Sequence, residues 1–219
     1  MGLVRTHLGA TLELSFAAFC VAAVVAVPLG VLAAVRPQSL CDHAVMTLTL
    51  IGQSAPTFWI GIMLILAFGL ELRWFPIGGR GTVAHLIMPA LTLGAFAMAS
   101  IARLTRSAML DVLRLDYVNT ARAKGLSDRR VIWRHALKNA AIPVVTIMGL
   151  QFGTLLSGAV VTETVFSWPG IGRLAIQAIY NRDYPVVQAS VFIAAAFFVV
   201  INVVVDLLYT FLDPRIRYE

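Results

Sequence analysis

Ser54 is the residue whose surroundings come nearest to a covalent catalytic motif. It lies in the segment Gly52-Gln-Ser-Ala-Pro56. In a nucleophile elbow, glycines two residues before and after the serine allow a strained turn that exposes the hydroxyl. Here the second glycine is replaced by Pro56, and the segment lies near the start of an apolar run. We therefore predict no catalytic nucleophile at this position.

The other residue types that could act as acids, bases or metal ligands are scattered along the chain. The histidines are His7, His43, His85 and His135. The acids in apolar segments are Glu13, Glu163 and Asp206, each near a segment end. Metal sites need ligands at short, regular spacings, and a membrane-embedded hydrolase needs two apposed acids or a serine with a histidine. The sequence therefore predicts no metal site and weighs against a membrane-embedded hydrolase.

Nucleotide hydrolysis is excluded by the lysines. A phosphate-binding loop ends in lysine followed by serine or threonine. The two lysines here are Lys124, followed by glycine, and Lys138, followed by asparagine. If this chain takes part in an ATP-driven process, the ATPase must be a separate chain, and we predict no cofactor.

The composition is that of an integral membrane protein. Hydrophobic residues make up 59% of the chain and charged residues 13%, with a mean hydropathy of +0.85, whereas soluble domains carry about 25% charged residues. A membrane-spanning helix needs about 20 mostly apolar residues. Five segments meet this requirement: 12–35, 44–70, 85–102, 141–161 and 186–209. The sequence predicts an all-α protein with one transmembrane domain over residues 1–219.

The basic residues predict the orientation of these spans. Twelve of the 17 basic residues fall on one side, at Arg36, in the loop from Arg103 to Lys138, and at Arg215 and Arg217. The other five are Arg5, Arg73, Arg80, Arg173 and Arg182. Short loops rich in lysine and arginine stay in the cytoplasm. We expect the N-terminus outside and the C-terminus inside. No nucleic-acid-binding motif accompanies the basic charge, so we predict no nucleic-acid partner.

The cytoplasmic loop 103–140 contains its own helix signals. Asp116 is a predicted N-cap, Gly125 is placed to end the helix in the left-handed conformation, and Ser127 is a second N-cap. By their spacing, one face of this short helix carries Tyr117, Thr120, Ala121 and Lys124. Such a surface could fit a groove on a partner protein. A loop that only fixes the topology explains the charges equally well.

Polar side chains within the spans are candidates for a translocation path, because burying them in lipid is unfavourable. The candidates are Gln53, Ser54, Gln151, Thr154, Ser157 and Asn202. Three of them recur every third residue in the fourth span and share one stripe. Hydrogen bonding between packed helices would produce the same stripe. Both interpretations stay open from the sequence.

Several motifs resemble the permease subunits of ABC importers. They are Thr120-Ala-Arg-Ala-Lys-Gly-Leu-Ser127, His135-Ala-Leu-Lys-Asn-Ala-Ala-Ile-Pro143, Glu163-Thr-Val-Phe-Ser-Trp-Pro-Gly-Ile-Gly172 and Asn181-Arg-Asp-Tyr-Pro-Val-Val-Gln188. The likeness is to the dipeptide/oligopeptide branch, and within it to the first, B-type permease. Asn119 and Thr120 depart from the general Glu-Ala-Ala pattern of the loop that docks on the ATPase.

The resemblance implies a type I importer permease fold in a bacterial inner membrane. It makes the helix ending at Gly125 the coupling helix, with Tyr117, Thr120, Ala121 and Lys124 as its contact residues. The implied partners are a second permease, two ATPase subunits, an extracytoplasmic solute-binding protein and the membrane lipid. Di- and oligopeptides are the implied solutes; nickel or another small solute is the alternative, and a purely structural subunit is a third possibility. Members of this branch have six spans, so we expect this chain to lack the usual first one.

Overall fold

The computed structural model describes the backbone of residues 2–212 and the side chains of residues 6–204. Within these limits the chain folds into helices, without a strand. The helices are α1 (Gly2–Val35), α2 (Leu40–Ser54), α3 (Thr57–Glu71), α4 (Val83–Leu113), α5 (Asp116–Ala123), α6 (Asp128–Val165), α7 (Ile171–Tyr180) and α8 (Tyr184–Leu212). The end of α3 and the start of α6 contain π-helical turns, over Ile65–Glu71 and Val131–Ala136. The predicted cytoplasmic tail with Arg215 and Arg217, and the side chains of Arg5 and Asp206, lie outside the described part.

Among the described residues, the helices α1, α4, α6 and α8 are long and apolar enough to cross a membrane, and α2 with α3 makes a fifth span if the two are counted together. The sequence predicted one continuous segment over 44–70, whereas the structure divides it. Helix α2 ends at Ser54, and Pro56 is extended (φ −60°, ψ 136°) at the N-cap of α3. Proline lacks the N–H that a continuing helix needs and disfavours helical geometry at the preceding residue, which explains the break.

The chain forms two compact units. Of the described residues, the first comprises 2–21, Ala55–Ala95 and Leu150–Leu208, and Phe166 and Trp168 are its largest fully buried side chains. The second comprises Ala22–Ser54, Phe96–Gly149 and the described residues 209–212. Its core includes Val31, Ile101, Met109, Val118 and Val131, each less than 2% exposed. Each unit therefore has its own buried core, assembled from segments far apart in the sequence.

In the second unit, α1 and α4 pack closely at Gly30. A Cβ atom built at Gly30 would lie 2.6 Å from the carbonyl oxygen of Ala102 and 2.6 Å from the Cβ of Thr105. Both distances are well inside van der Waals contact, and one partner is rigid backbone. Small residues allow membrane helices to approach in this way. Position 30 must therefore be glycine for α1 and α4 to keep this distance.

We predict that Gly30→Ala destabilises the protein, because overpacking a close contact costs about 1–3 kcal/mol. The matched control is Gly9→Ala on the same helix, where a Cβ atom meets nothing within 4 Å. That control should be neutral or slightly stabilising, since alanine favours a helix over glycine. Thermal unfolding of the detergent-purified protein measures both. Equal midpoints for the two variants would contradict the close packing at Gly30.

Candidate functional site

Helix α5 is held against α6 by a small apolar cluster, which we call the α5 cluster. Its buried members are Val118, Ala121 and Val131, with 0%, 9% and 0% of their surfaces exposed. The partly buried residues packed around them are Val112, Leu113 and Leu126. The end of α4, the whole of α5 and the start of α6 therefore share one apolar contact. Val118 anchors this contact, and the sequence analysis did not single it out, although its spacing of three from Ala121 marks an apolar face.

The end of α5 is a Schellman motif. Gly125 has a φ of +81°, and its N–H donates to the carbonyl of Arg122 at 2.9 Å. The N–H of Leu126 donates to the carbonyl of Ala121 at 3.3 Å, and Leu126 packs on the α5 cluster. These are the two hydrogen bonds and the apolar contact of this motif, in which glycine adopts the left-handed conformation with least strain. The predicted conformation of Gly125 is confirmed.

Two details of the predicted helix need correction. The N-cap is Leu115, with an extended backbone (φ −74°, ψ 145°), and Asp116 is the first residue of the helix instead. Ala121 was expected on the exposed face but is buried in the α5 cluster. The reason is that Ala121 is three residues from Val118 and so shares its inward-facing side. The exposed members of the predicted face are Tyr117, Thr120 and Lys124.

Polar contacts around α5 add to its support. The Tyr117 hydroxyl accepts a hydrogen bond from Nδ2 of Asn139 at 2.7 Å, which joins α5 to the body of α6. Arg122 forms an exposed ion pair with Asp128 at 3.2 Å. The surface of α5 that turns away from these contacts carries exposed side chains, among them Asn119, Thr120 and Lys124. The arrangement is a short helix held firmly on its inner side and free on its outer side.

The predicted path residues of α6 and α8 lie in the first unit. Gln151 is 6% exposed, and the Thr154 hydroxyl donates to its backbone carbonyl at 2.8 Å. Asn202 donates from Nδ2 to the carbonyl of Phe198 at 2.9 Å, and a Cβ at Gly153 would lie 2.9 Å from its Oδ1. Asn202 therefore packs directly against α6. The contact with Gly153 favours helix packing as the role of Asn202, whereas the hydrogen bond cited for Gln151 lies within its own helix.

The remaining candidates for the translocation path have side chains that are less buried. Gln53 and Ser54 are the last two residues of α2, in the second unit, with half-buried and exposed side chains respectively. Ser157 is exposed and lines a cavity of about 380 Å³ in the first unit. The wall of that cavity also includes Glu163, Ser190 and Phe198. The Ser190 hydroxyl is buried and has no hydrogen-bond partner among the described residues.

A buried carboxyl group organises one end of the first unit. Glu163 is 0% exposed, and its Oε1 accepts a hydrogen bond from the Thr11 hydroxyl at 2.5 Å. Its Oε2 accepts from the backbone N–H of Arg173 at 3.0 Å. The Thr11 oxygen in turn accepts from the N–H of Ile171 at 2.9 Å. Glu163 and Thr11 thus tie α1, the end of α6 and the start of α7 together, a role that the sequence analysis did not assign to either residue.

Trp168 completes this arrangement from the loop between α6 and α7. Its Nε1–H donates to the carbonyl of Ala10 at 2.8 Å, and its backbone N–H donates to the carbonyl of Glu163 at 2.8 Å. The Arg80 guanidinium lies 5.9 Å from the centre of its ring and forms an ion pair with Glu13. A Cβ at Gly170 would collide with the Glu163 carboxyl group. The segment Glu163–Gly172 therefore forms a tightly packed turn that leaves little space for larger side chains.

The comparison with protein families decides what kind of protein carries these features. Residues 26–218 match the family described as binding-protein-dependent transport system inner membrane component. The chain belongs to this family. It is therefore a multi-pass inner-membrane subunit of a transport system, and membership in the family implies ATPase and substrate-binding partners.

Curated members of the family are similar over almost the whole chain. The di/tripeptide transport system permease protein DppB of Pseudomonas aeruginosa is 50% identical, with 96% of this chain and 71% of that protein covered. The oligopeptide transport system permease protein AppB of Bacillus subtilis is 42% identical over 99% of this chain and 72% of its own length. The glutathione transport system permease protein GsiC of Escherichia coli is 46% identical, with 95% of this chain and 68% of that protein covered. These relatives are transport permeases and not enzymes, in agreement with the prediction.

Solved structures confirm the predicted fold class. An inward-facing MetNI methionine ABC transporter has a chain that matches with a TM-score of 0.79 over 97% of both chains, at 20% identity. An amino acid ABC transporter matches with a TM-score of 0.70 over 95% of this chain and 93% of the other. At such low identity the likeness concerns the fold alone. The chain has the permease fold of type I ABC transporters.

We predict that Thr11→Val destabilises the first unit. Valine keeps the shape but removes the hydroxyl, so the Ile171 N–H loses its acceptor and the buried Glu163 carboxyl group loses one of its donors. A buried donor left without an acceptor costs about 1–3 kcal/mol. The control is Thr164→Val, because the exposed Thr164 hydroxyl donates only to the carbonyl of Val160 in its own helix, at 2.8 Å. The midpoint of thermal unfolding should fall for Thr11→Val and stay at the wild-type value for Thr164→Val. The same midpoint for both variants would contradict the role of Thr11.

Proposed function

We propose that this chain is one of two permease subunits of an ATP-driven importer of di- and oligopeptides. It would work with a second permease, two ATPase subunits and an extracytoplasmic solute-binding protein. The proposal of a peptide substrate is supported by the relatives at 42% and 50% identity, whose names specify oligopeptide and di/tripeptide transport. The proposal of a coupling role is supported by the geometry of α5.

The observation that carries the coupling role is that α5 is supported on one side and exposed on the other. Its inner side is fixed by the α5 cluster and by the bond between Tyr117 and Asn139. Its outer side offers Thr120 and Lys124, both exposed, to a partner. A helix held in this way can be pushed as a rigid body. An ATPase that binds the outer side of α5 would therefore move the ends of α4 and α6 with it.

In the proposed mechanism, a peptide delivered by the binding protein enters between the two permeases. Nucleotide-driven closure of the ATPases then displaces α5, and the attached helices switch the access of the path from one side of the membrane to the other. Of the predicted path residues, Ser54, Thr154 and Ser157 have exposed side chains and remain the candidates for lining this path. This subunit encloses the path and transmits movement.

The proposed orientation places the loop before α4 outside the cell and α5 inside. For the test, Cys20 and Cys41, which are both free thiols, are first replaced by serine. A single cysteine at Thr82, which is exposed, should then react with a membrane-impermeant thiol reagent in intact cells. A cysteine at the exposed Ser127 should react only after the membrane is opened. The opposite labelling pattern would overturn both the orientation and the docking of an ATPase on α5.

The coupling role predicts that Gly125→Val abolishes peptide-stimulated ATP hydrolysis and uptake. The φ of +81° at Gly125 strains any residue with a Cβ atom, at a cost of about 1–2 kcal/mol. Gly79 is a matched control, since it has a φ of +86° and, like Gly125, no atom within 4 Å of a built Cβ. Gly79→Val imposes the same strain far along the chain from α5 and should leave coupling intact.

Both variants are compared with the wild-type protein in the reconstituted complex of two permeases and two ATPase subunits, with the solute-binding protein added and a radiolabelled dipeptide as substrate. The expected result is dipeptide uptake and stimulated hydrolysis by the wild type and by Gly79→Val, and neither by Gly125→Val. Full stimulation in Gly125→Val would refute the coupling role. Uptake of Ni²⁺ in place of the dipeptide by the wild-type complex would refute the proposed substrate class.

A further inference from the structure

A partly buried ion pair joins α2 to α4 in the second unit. Nε of Arg106 lies 2.5 Å from Oδ1 of Asp42, and Nη2 of Arg106 lies 2.6 Å from Oδ2 of Asp42. The Asp42 side chain is 3% exposed and that of Arg106 is 26% exposed. Two parallel hydrogen bonds between a guanidinium and a carboxylate fix both distance and orientation, unlike apolar contacts, which allow sliding. Sequence motifs gave no reason to single out either residue.

Asp42 also builds the turn between α1 and α2. Its Oδ2 accepts a hydrogen bond from the backbone N–H of Gln38 at 2.9 Å, and Gln38 has a φ of +61°. The Ser39 hydroxyl donates to the carbonyl of Arg36 at 2.6 Å and accepts from the N–H of Asp42 at 3.2 Å. The turn is therefore ordered by the same carboxylate that binds Arg106. Movement of Arg106 along with α4 would be passed to this turn.

The ion pair and the α5 cluster lie on one stretch of α4. Arg106 precedes Val112, a member of the cluster, by six residues, which is about 9 Å along a helix. A helix over this distance is stiff. The contacts therefore form a continuous chain from α5 through the cluster to α4, and from Arg106 through Asp42 to the turn between α1 and α2.

We propose that the Asp42–Arg106 ion pair is a positioning element of the transport cycle, which makes the turn between α1 and α2 move together with α4 when α5 is displaced. The inference rests on the proposed coupling role of α5 and extends it to a second cytoplasmic element. A purely structural role is the competing explanation. Buried ion pairs are poor stabilisers, since well-packed apolar replacements of both partners are often neutral or stabilising, whereas loss of one partner leaves an unpaired buried charge. Comparing the single variants with the double variant therefore distinguishes the positioning role from a purely structural one.

The test uses Asp42→Asn, Arg106→Gln and the double variant in the reconstituted complex. Thermal stability, basal ATP hydrolysis and peptide-stimulated ATP hydrolysis are measured for each. The single variants should lower the stimulated-to-basal ratio by roughly 2- to 30-fold, the range expected when a coupling contact is lost. The matched control is Glu13→Gln, which removes an exposed ion pair with Arg80 in the first unit and should leave the ratio unchanged.

The double variant is decisive. It leaves no unpaired buried charge, so its thermal stability should return toward that of the wild type while its stimulated-to-basal ratio stays low. Recovery of both quantities would overturn the proposal, because the pair would then act only through stability. Full stimulation in the single variants would overturn it as well. If Gly125→Val abolishes stimulation but Asp42→Asn does not, the positioning role alone fails; if neither variant affects stimulation, the coupling role of α5 fails too.

Discussion

A polar side chain that is buried inside a protein must find its hydrogen-bond partners there, because it has lost those of water. Among the described residues, each compact unit has a buried carboxyl group that meets this requirement by joining segments far apart in the sequence. In the first unit, Glu163 is bonded by Thr11 and by the start of α7. In the second unit, Asp42 is bonded by Arg106 and by the turn between α1 and α2. The helix arrangement around both groups depends on these bonds being satisfied.

The glycines complement these polar contacts by setting how closely segments approach. Gly30 lets α1 lie against α4, Gly170 leaves room for the Glu163 carboxyl group, and Gly172 lets α7 lie against Val160 of α6. Directional hydrogen bonds at such short separations define one arrangement, whereas the apolar surfaces of the helices alone would permit many. A few polar residues and glycines therefore determine how the helices of each unit are arranged, although most residues of the chain are apolar.

The proposed coupling role requires that a movement of α5 reach the long helices of the second unit. Helix α5 is short, but its apolar side is shared with α4 and α6, and Gly125 ends it at a defined angle. Packed cores do not deform continuously, so a displacement of α5 has to be taken up by the helices that it contacts. In the proposed mechanism, the chain that hydrolyses ATP can therefore be separate from the chain that encloses the path.

The sequence by itself determined the membrane class, the helical content, the likeness to importer permeases and the left-handed glycine after α5, because these depend on local composition and on short motifs. The sequence analysis expected Ala121 to be exposed; its spacing from Val118 was a signal for an apolar face, and the packing of α5 on Val131 decides that this face is the covered one. It predicted one span where Pro56 separates two helices. The sequence also did not predict which residues contact the side chains of Asp42, Glu163 and Asn202. Those contacts join residues many positions apart, and only the tertiary structure decides which distant side chains meet.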